Sequence, residues 1–524
     1  MIYLLAREAG FLAIYSCAVV ACDAVDGAPF AALPQPASKY RTGGAMTRVK
    51  ACRWLLTIVP IVLACAIIAA TATKASAQAA KNITRADFGQ WLDKYRDAKA
   101  DFKPGDVVTG KEMERLRPFV PPGYFEQMSF PELRAEMIAP RNHTPRKDFT
   151  DCTEKYQAQV KLNNDGTLAN HVCGQPFADA AITVNDPQSG LKAAHNMDYR
   201  WQNYGQLIMN VQYVWERFGG SHAGQAPTEV EMPPEDWTSG ILFDSKMPKD
   251  GSVFFSGGGT FERIINSFYE RVYLSHLPQL AETGGLLGVP DAKNFFWKEF
   301  SGLFSPFDVR GTVVIDYRYA DQNRADDAWA YDPKSRRVRR ISVEVKSDSV
   351  AGTDQTYEDF YTFSARAARW NFKFLGWKDV LCVLDSKYDY AHLYGPNGLI
   401  PDDVWSLRRF AVVERTPKEP THPYSSAIML WDAENWHPWM MLAFDRDKNL
   451  LKISVFQSRW SEDFKDWAEM NHGVQSVNPM SFQVMDLQKE RGTIFTSFGV
   501  GYPAVTGEHV KRLYDISKLE EVHR

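Results

Sequence analysis

The chain has 524 residues, of which 45% are apolar and 13% aromatic, and its formal net charge is −4. That length excludes a single small domain, and the apolar share supports a sizeable buried core. The acidic balance excludes a general nucleic-acid binder, which needs a basic excess to displace counterions from phosphates, while the aromatic share favours β-structure, because flat and branched side chains suit a pleated surface.

Met46 opens MTRVKACRW, basic at Arg48, Lys50 and Arg53 and free of acid. The apolar run LLTIVPIVLACAIIAATAT follows at 55–73, then KASAQ, with Ala75-Ser76-Ala77 as a small-x-small cleavage site. This order is that of a secretory signal peptide over 46–77. A membrane anchor is the competing reading, since the run is about as long as a bilayer-spanning helix; Pro60 and the cleavage site favour removal. Residues 1–45 are then expected to be a disordered upstream extension, with Met46 the true start. The alternative is that VVAC (Val19–Cys22) is a lipoprotein box with a lipidated Cys22. The expected location is the periplasm or the outer membrane. Cleavage after Ala77 would leave Cys152, Cys173 and Cys382 and a still more acidic chain.

Residues 78–133 read as an N-terminal helical segment. Thr84 and Asp87 form a capping pair for a helix over 84–99, with Phe88, Trp91, Leu92 and Tyr95 on one face. A short second helix is predicted at 109–117, ending before Pro118. From about 134 to 505 the period turns to two, the sign of a β domain. QVKLNNDGTLANHV predicts a hairpin about Asp165-Gly166. Cys152 and Cys173 flank it, and an exported chain allows a disulfide. With that turn Cys173 faces a residue near 158, so the bridge closes only if the chain before 156 folds back to bring the α-carbons within ~7 Å. Cys382, in DVLCVL, is expected to be a small buried apolar residue.

DPQSGLKAAHNMDYRWQN (186–203) predicts a helix. In LIMNVQYVW, Leu207, Met209, Val211, Tyr213 and Trp215 share one strand face. Val313, Ile315, Tyr317 and Tyr319 share another, and Leu451, Ile453 and Val455 a third. WAYDPKSRRVRRISVEV reads as a hairpin turning at Asp332-Pro333. Further strands are predicted at 371–385, 404–415, 424–431, 436–445, 481–487 and 493–498, and a closing helix from Thr506 over 506–524. The stretches 219–240 and 275–306 are the least regular. With no βαβ rhythm and no repeat, the fold class is mainly β (α+β): one large antiparallel sheet, curved or partly closed, with a few helices.

The sequence offers little chemistry. It has no HExxH and no paired CxxC, so no metal site is expected, and no cofactor either. SGGGT at 256–260 lacks the Lys of a phosphate loop. DRDKN at 445–449 resembles a calcium-loop start, but Leu450 and Phe456 stand where Gly and the bidentate Glu belong, so it reads as a hairpin turn. Ser221 and His222 lie in FGGSHAG; a serine nucleophile needs Gly two residues to each side, and Ala223 breaks that pattern. No catalytic constellation emerges. Arg336, Arg337, Arg339 and Arg340 occupy both parities of the returning hairpin strand. They read as a solvated strand or as a docking patch for lipid phosphates or an acidic partner, since guanidinium binds such oxygens bidentately.

Five segments carry a resemblance: GQPF (174–177), DPQSGLKAAHNMDYRW (186–201), YDPKSRRVRRI (331–341), LRRFAVVERTPK (407–418) and YSSAIMLWDAENWHP (424–438). Together, over roughly residues 84–518, they resemble domain-of-unknown-function family 1329, often labelled outer-membrane lipoprotein-sorting proteins. His195 departs from the aromatic expected there, and VWSL at 404–407 from a more polar pattern. The resemblance implies a fold similar to the LolA and LolB carriers: an unclosed barrel of strongly curved antiparallel sheet, with helices packed on the concave face. It implies an exported carrier or chaperone for a lipid or hydrophobic small molecule, not an enzyme, working with a membrane transporter of the resistance-nodulation-division type. The family has no established catalytic residues to carry over. The three strand faces are the candidate ligand contacts, though the same stripes suit an ordinary core. The rival readings are an envelope hydrolase using Ser221 and His222, and a non-catalytic envelope adaptor using the arginine strand.

Overall fold

The computed structural model describes residues 80–201, 205–220, 253–255, 257–341, 347–388, 390–463, 475–502 and 505–519. The expected signal peptide at 46–77, the segment before it, and Ser221 and His222 lie outside the described residues. Everything described belongs to one compact unit.

Helix Arg85–Tyr95 begins where its cap dictates. The Thr84 hydroxyl accepts from the Asp87 N–H, and the Asp87 carboxylate accepts from the Thr84 N–H at 2.8 Å. These reciprocal bonds satisfy two donors that the first helical turn would otherwise leave unpaired. Phe88, Trp91 and Leu92 turn inward. Strand β1 (Val107–Thr109), a 3-10 helix (Gly110–Phe119), a short α-helix (Tyr124–Met128) and β2 (Arg134–Ile138) follow. Next come helix Lys147–Tyr156 and the small hairpin of β3 (Lys161–Leu162) and β4 (Leu168–Ala169), which turns at Asp165-Gly166. Cys152 lies on that helix, so the chain before the hairpin doubles back. It forms a disulfide with Cys173, their α-carbons 5.9 Å apart.

After helix Ser189–Asp198 come strands β5 (Gln206–Arg217), β6 (Val253–Phe255), β7 (Thr260–Tyr273), β8 (Phe295–Ser305), β9 (Thr312–Tyr319), β10 (Asp327–Asp332) and β11 (Arg337–Ile341). An irregular arm, residues 347–369, separates these from β12 (Trp370–Cys382), β13 (Ala391–Tyr394), β14 (Ile400–Pro401) and β15 (Val404–Pro417). The last strands are β16 (Ser426–Asp432), β17 (Pro438–Phe444), β18 (Leu450–Trp460), β19 (Val477–Asp486) and β20 (Arg491–Gly501), before a closing helix, Gly507–Leu513, capped by Thr506.

One sheet takes fifteen of these strands, in the order β1-β2-β15-β16-β17-β18-β19-β20-β5-β7-β8-β9-β10-β11, with β12 alongside β15. Only the β2–β15 pair in it is parallel. The path ends at β1 and β11, so the sheet is unclosed. A separate small sheet joins β6, β13 and β14.

Strand β8 lies in a stretch expected to be irregular. Its sequence, FFWKEFSGLFS, does not alternate because it is covered on both faces. Strand β7 hides for another reason: Asn266, Ser267, Glu270 and Arg271 are buried and hydrogen-bonded, so its apolar rhythm is broken by satisfied polar groups. The turn DRDKN is a tight hairpin corner, with Asp445 and Asn449 bonded backbone to backbone and Lys448 at φ 69°.

Helices cover both faces of the unclosed sheet. The N-terminal segment packs on a face that includes Val214, Val455, Met485 and Ile494. The closing helix covers the same face further along, over Ile208, Phe268, Phe300, Val313 and Ile315. Helix Ser189–Asp198 lies on the opposite face, against Phe374, Val413, Met429 and Trp431.

Candidate functional site

The face opposite the closing helix carries an aromatic ladder. Phe456 on β18, Phe482 on β19, Phe495 on β20 and Tyr213 on β5 are successive cross-strand partners. Directly opposed residues sit close enough to stack. The ring centroids are 5.1 Å apart for Phe456 and Phe482, 4.2 Å for Phe482 and Phe495, and 4.6 Å for Phe495 and Tyr213.

The 347–369 arm roofs this ladder. Its Phe360 ring lies 5.9 Å from Phe482 and 6.0 Å from Phe495. Buried polar bonds pin the arm on either side of that ring. Asp354 takes both Arg491 Nη2, at 2.7 Å, and Arg491 Nε, while Lys452 Nζ donates to its carbonyl at 2.8 Å. Asp359 pairs with Arg415 and accepts from the Tyr424 hydroxyl at 2.6 Å. Glu358 meets His422 at 2.6 Å, and Trp431 Nε1 donates to the Thr362 hydroxyl at 2.8 Å. Tyr361 stands at φ 52°, a left-handed conformation that costs a side-chain-bearing residue roughly 1–2 kcal/mol. The Arg200 and Arg271 guanidinium groups, each 5.0 Å from its ring, hold it there.

Between arm and sheet lies a cleft in two parts. The narrow part, about 40 Å³, is walled by the ladder with Met209, Val211, Tyr269 and Met480. Met209, Tyr269, Phe360, Tyr361 and Phe482 are half-buried at its rim, so it opens to solvent through apolar groups. The wider part, about 340 Å³, extends over β8, β9 and β10. Tyr213, Tyr269 and Phe360 line both. Glu299 lines the wider part, held by Arg271 and by the Tyr269 hydroxyl. Tyr357 lines it too, its hydroxyl pushed up to about 12 by burial first and then by Tyr213, Asp316 and Asp348.

The sequence-derived faces part company here. Met209, Val211 and Tyr213 line the narrow cleft. Leu207 is buried beside it with Val500 and Tyr502, and Trp215 packs with Val211 and Tyr213 while its Nε1 donates to the Gly352 carbonyl at 3.1 Å. Val313, Ile315 and Tyr317 face the other way, under the closing helix, and the Tyr317 hydroxyl donates to the Tyr514 carbonyl. Tyr319 bonds Asp327 at 2.6 Å. Register explains the split: Met209 pairs with Tyr269, Tyr269 with Ser301 and Ser301 with Val314, so the cleft face of β9 holds Val314 rather than Ile315. Ile453 and Val455 join the core under the N-terminal helices, and Leu451 packs half-buried near Trp431 and Met441. Sequence reading missed Phe456, Phe482, Phe495 and the arm. The signal was an aromatic at the same height on three neighbouring strands, which becomes visible only once their register is known.

Arg336, Arg337, Arg339 and Arg340 are all exposed, on the turn and strand of β11 at the sheet's edge, and Arg340 pairs with Asp327. Among the described residues, no group of His, Cys, Asp and Glu could hold a metal ion, and no helix is long and apolar enough to cross a membrane.

Comparison with known proteins gives a family match for part of the chain. Residues 266–509 match the family described as Protein of unknown function (DUF1329). The matched region supplies the arm and most of the ladder, while Met209, Val211 and Tyr213 precede it. No curated protein matches the chain. Among solved structures, a Vibrio parahaemolyticus domain named for outer membrane lipoprotein sorting is 16% identical, covering 64% of this chain and 100% of its own at a TM-score of 0.39. A DUF1329 family protein from Desulfovibrio piger is 15% identical over 64% of this chain and 100% of its own, also at 0.39. A LolA superfamily protein from Nitrosomonas europaea is 12% identical over 62% and 96%, at 0.31.

Proposed function

We propose that the protein carries a lipid or another hydrophobic small molecule in the cleft beneath the 347–369 arm. The observation behind this reading is the aromatic ladder, whose rim residues Met209, Tyr269, Phe360, Tyr361 and Phe482 stay half-buried even with the arm in place. Aromatic rings left partly in water gain by covering, at about 25 cal/mol per Å² of apolar surface. The wider cavity, about 340 Å³, falls in the range of small-molecule sites. Each buried methylene is worth ~0.8 kcal/mol, so an acyl chain crosses water far more readily inside such a cleft than outside it. The same magnitude makes extraction from a membrane steeply uphill. An exported carrier of this kind therefore works with an energised membrane transporter; the resistance-nodulation-division type is the expectation that follows from the family resemblance.

Two measurements test this. Native mass spectrometry of protein from its own host is expected to release a bound hydrophobe. N-phenylnaphthylamine, an uncharged fluorescent hydrophobe, is expected to bind, and Met209→Glu at the rim to weaken it about tenfold or more, because the ligand must then desolvate a carboxylate. Absence of both a released ligand and probe binding would sink the carrier reading.

A further inference from the structure

We propose that the paired hairpin tips at 305–311 and 332–337 dock on an anionic lipid surface, Phe307 entering among the acyl chains while the β11 guanidinium groups bind lipid phosphates. This goes beyond the carrier reading and does not rest on it, since docking needs no cargo.

Two hairpins end side by side. Leu303 on β8 pairs with Thr312 on β9, and Val313 on β9 with Tyr331 on β10, so the β8–β9 and β10–β11 turns leave the sheet at the same end. The turns touch: a β-carbon built on Gly311 would stand 3.5 Å from the Pro333 Cβ. Backbone bonds shape the first turn. The Val309 and Arg310 N–H groups donate to the Pro306 carbonyl, each at 3.1 Å, and the Gly311 N–H to the Leu303 carbonyl at 2.8 Å. Val309 packs inward on the cluster of Val211, Tyr213 and Leu303. Phe307 is left 88% exposed, more than any other large apolar side chain among the described residues.

The second turn brings the charge. Lys334, Arg336, Arg337 and Arg339 are exposed, and among the described residues none of them makes an ion pair. Asp332 faces Arg337 across the hairpin, but its carboxylate is occupied within the turn, accepting from the Lys334 N–H at 3.0 Å and the Ser335 hydroxyl at 2.9 Å. Asp308 in the first turn pairs with Arg263 at 2.7 Å. A chain of net charge −4 is repelled as a whole by an anionic surface, so attraction arises locally and turns this end towards it.

A lone exposed ring beside cations suits a membrane better than a protein. At a lipid surface the ring leaves water while the cations meet phosphates, which guanidinium binds bidentately. A stable protein partner needs an apolar centre within roughly 800 Å² on each side. Phe307 has no exposed apolar neighbour of its size in either turn.

The test follows protein purified from its host as it co-sediments with vesicles of phosphatidylglycerol and phosphatidylethanolamine, or of phosphatidylcholine alone. The anionic vesicles are expected to bind about tenfold or more tightly, and the preference to vanish at ~0.5 M salt. Arg336→Glu, Arg337→Glu and Arg339→Glu together should abolish it, because each basic residue at such a surface strengthens binding about fivefold. Phe307→Ser should weaken binding to the anionic vesicles about fivefold by removing the apolar contact. All four positions are exposed, so the thermal midpoint and N-phenylnaphthylamine binding should stay as they are. Equal binding to the two kinds of vesicle, or a preference that survives the triple variant, overturns the proposal. Phe307→Ser binding as tightly as the original chain overturns it too, and leaves the cations as a site for an acidic protein.

Discussion

Lys378 shows how one side chain can be held against its preference. It is 1% exposed, and its Nζ lies 5.6 Å from the Trp91 ring and 5.1 Å from that of Phe119. Burial pushes its ammonium down to about 8, against the pull of Asp379 and Asp97. The unfolded chain therefore holds this proton more tightly than the folded one. Below pH 8 the full penalty for burying the charge is present, and stability rises with pH from about 8 towards the ordinary lysine value. The aromatic contacts return part of that cost. Lys378→Met should raise the thermal midpoint at pH 7 by roughly 1–3 °C, and the gain should fade as the pH climbs through that window. A lower midpoint at every pH would show that the cation–ring contacts outweigh burial.

The arm is the element on which the cleft depends, and its hold is ionic. Arg415 is wholly buried, its guanidinium 4.3 Å from the Trp370 ring, with Asp359 as its carboxylate. Removing one member of such a pair strands the other, at a cost of about 3–5 kcal/mol, whereas replacing both by apolar groups of similar volume is often close to neutral. Asp359→Ala should thus lower the urea-derived stability by that amount and abolish N-phenylnaphthylamine binding, because Phe360 loses its support. Asp359→Leu combined with Arg415→Met should recover most of the stability. Equal losses for the single and double replacements would mean that the pair does not anchor the arm. None of this was legible beforehand. TDQTYEDFYT carries neither helical nor strand rhythm, and its partners lie 56 or more residues away along the chain, at Arg415, His422 and Arg491. Helix Arg85–Tyr95, by contrast, could be read residue by residue, since its cap is a contact between neighbours only three positions apart.

At the scale of the whole molecule, period-two patterns sufficed for the many-stranded sheet and for most strand positions. They did not say which side of a strand meets the cleft, because apolar cover lies on both sides of the sheet. Val211 and Ile315 look alike in sequence and lie on opposite faces in the fold. An unclosed sheet also has ends, and β11 is one of them, with three guanidinium side chains along five residues. Two copies meeting there would have to set arginine against arginine before a single backbone bond could form. The strand is thus expected to oppose templated growth at this edge, a barrier against filaments at high concentration that the following change tests. Changing Arg337, Arg339 and Arg340 to Thr should leave the fold intact yet make concentrated solutions scatter light and bind an amyloid dye within days, with the original chain clear under the same conditions.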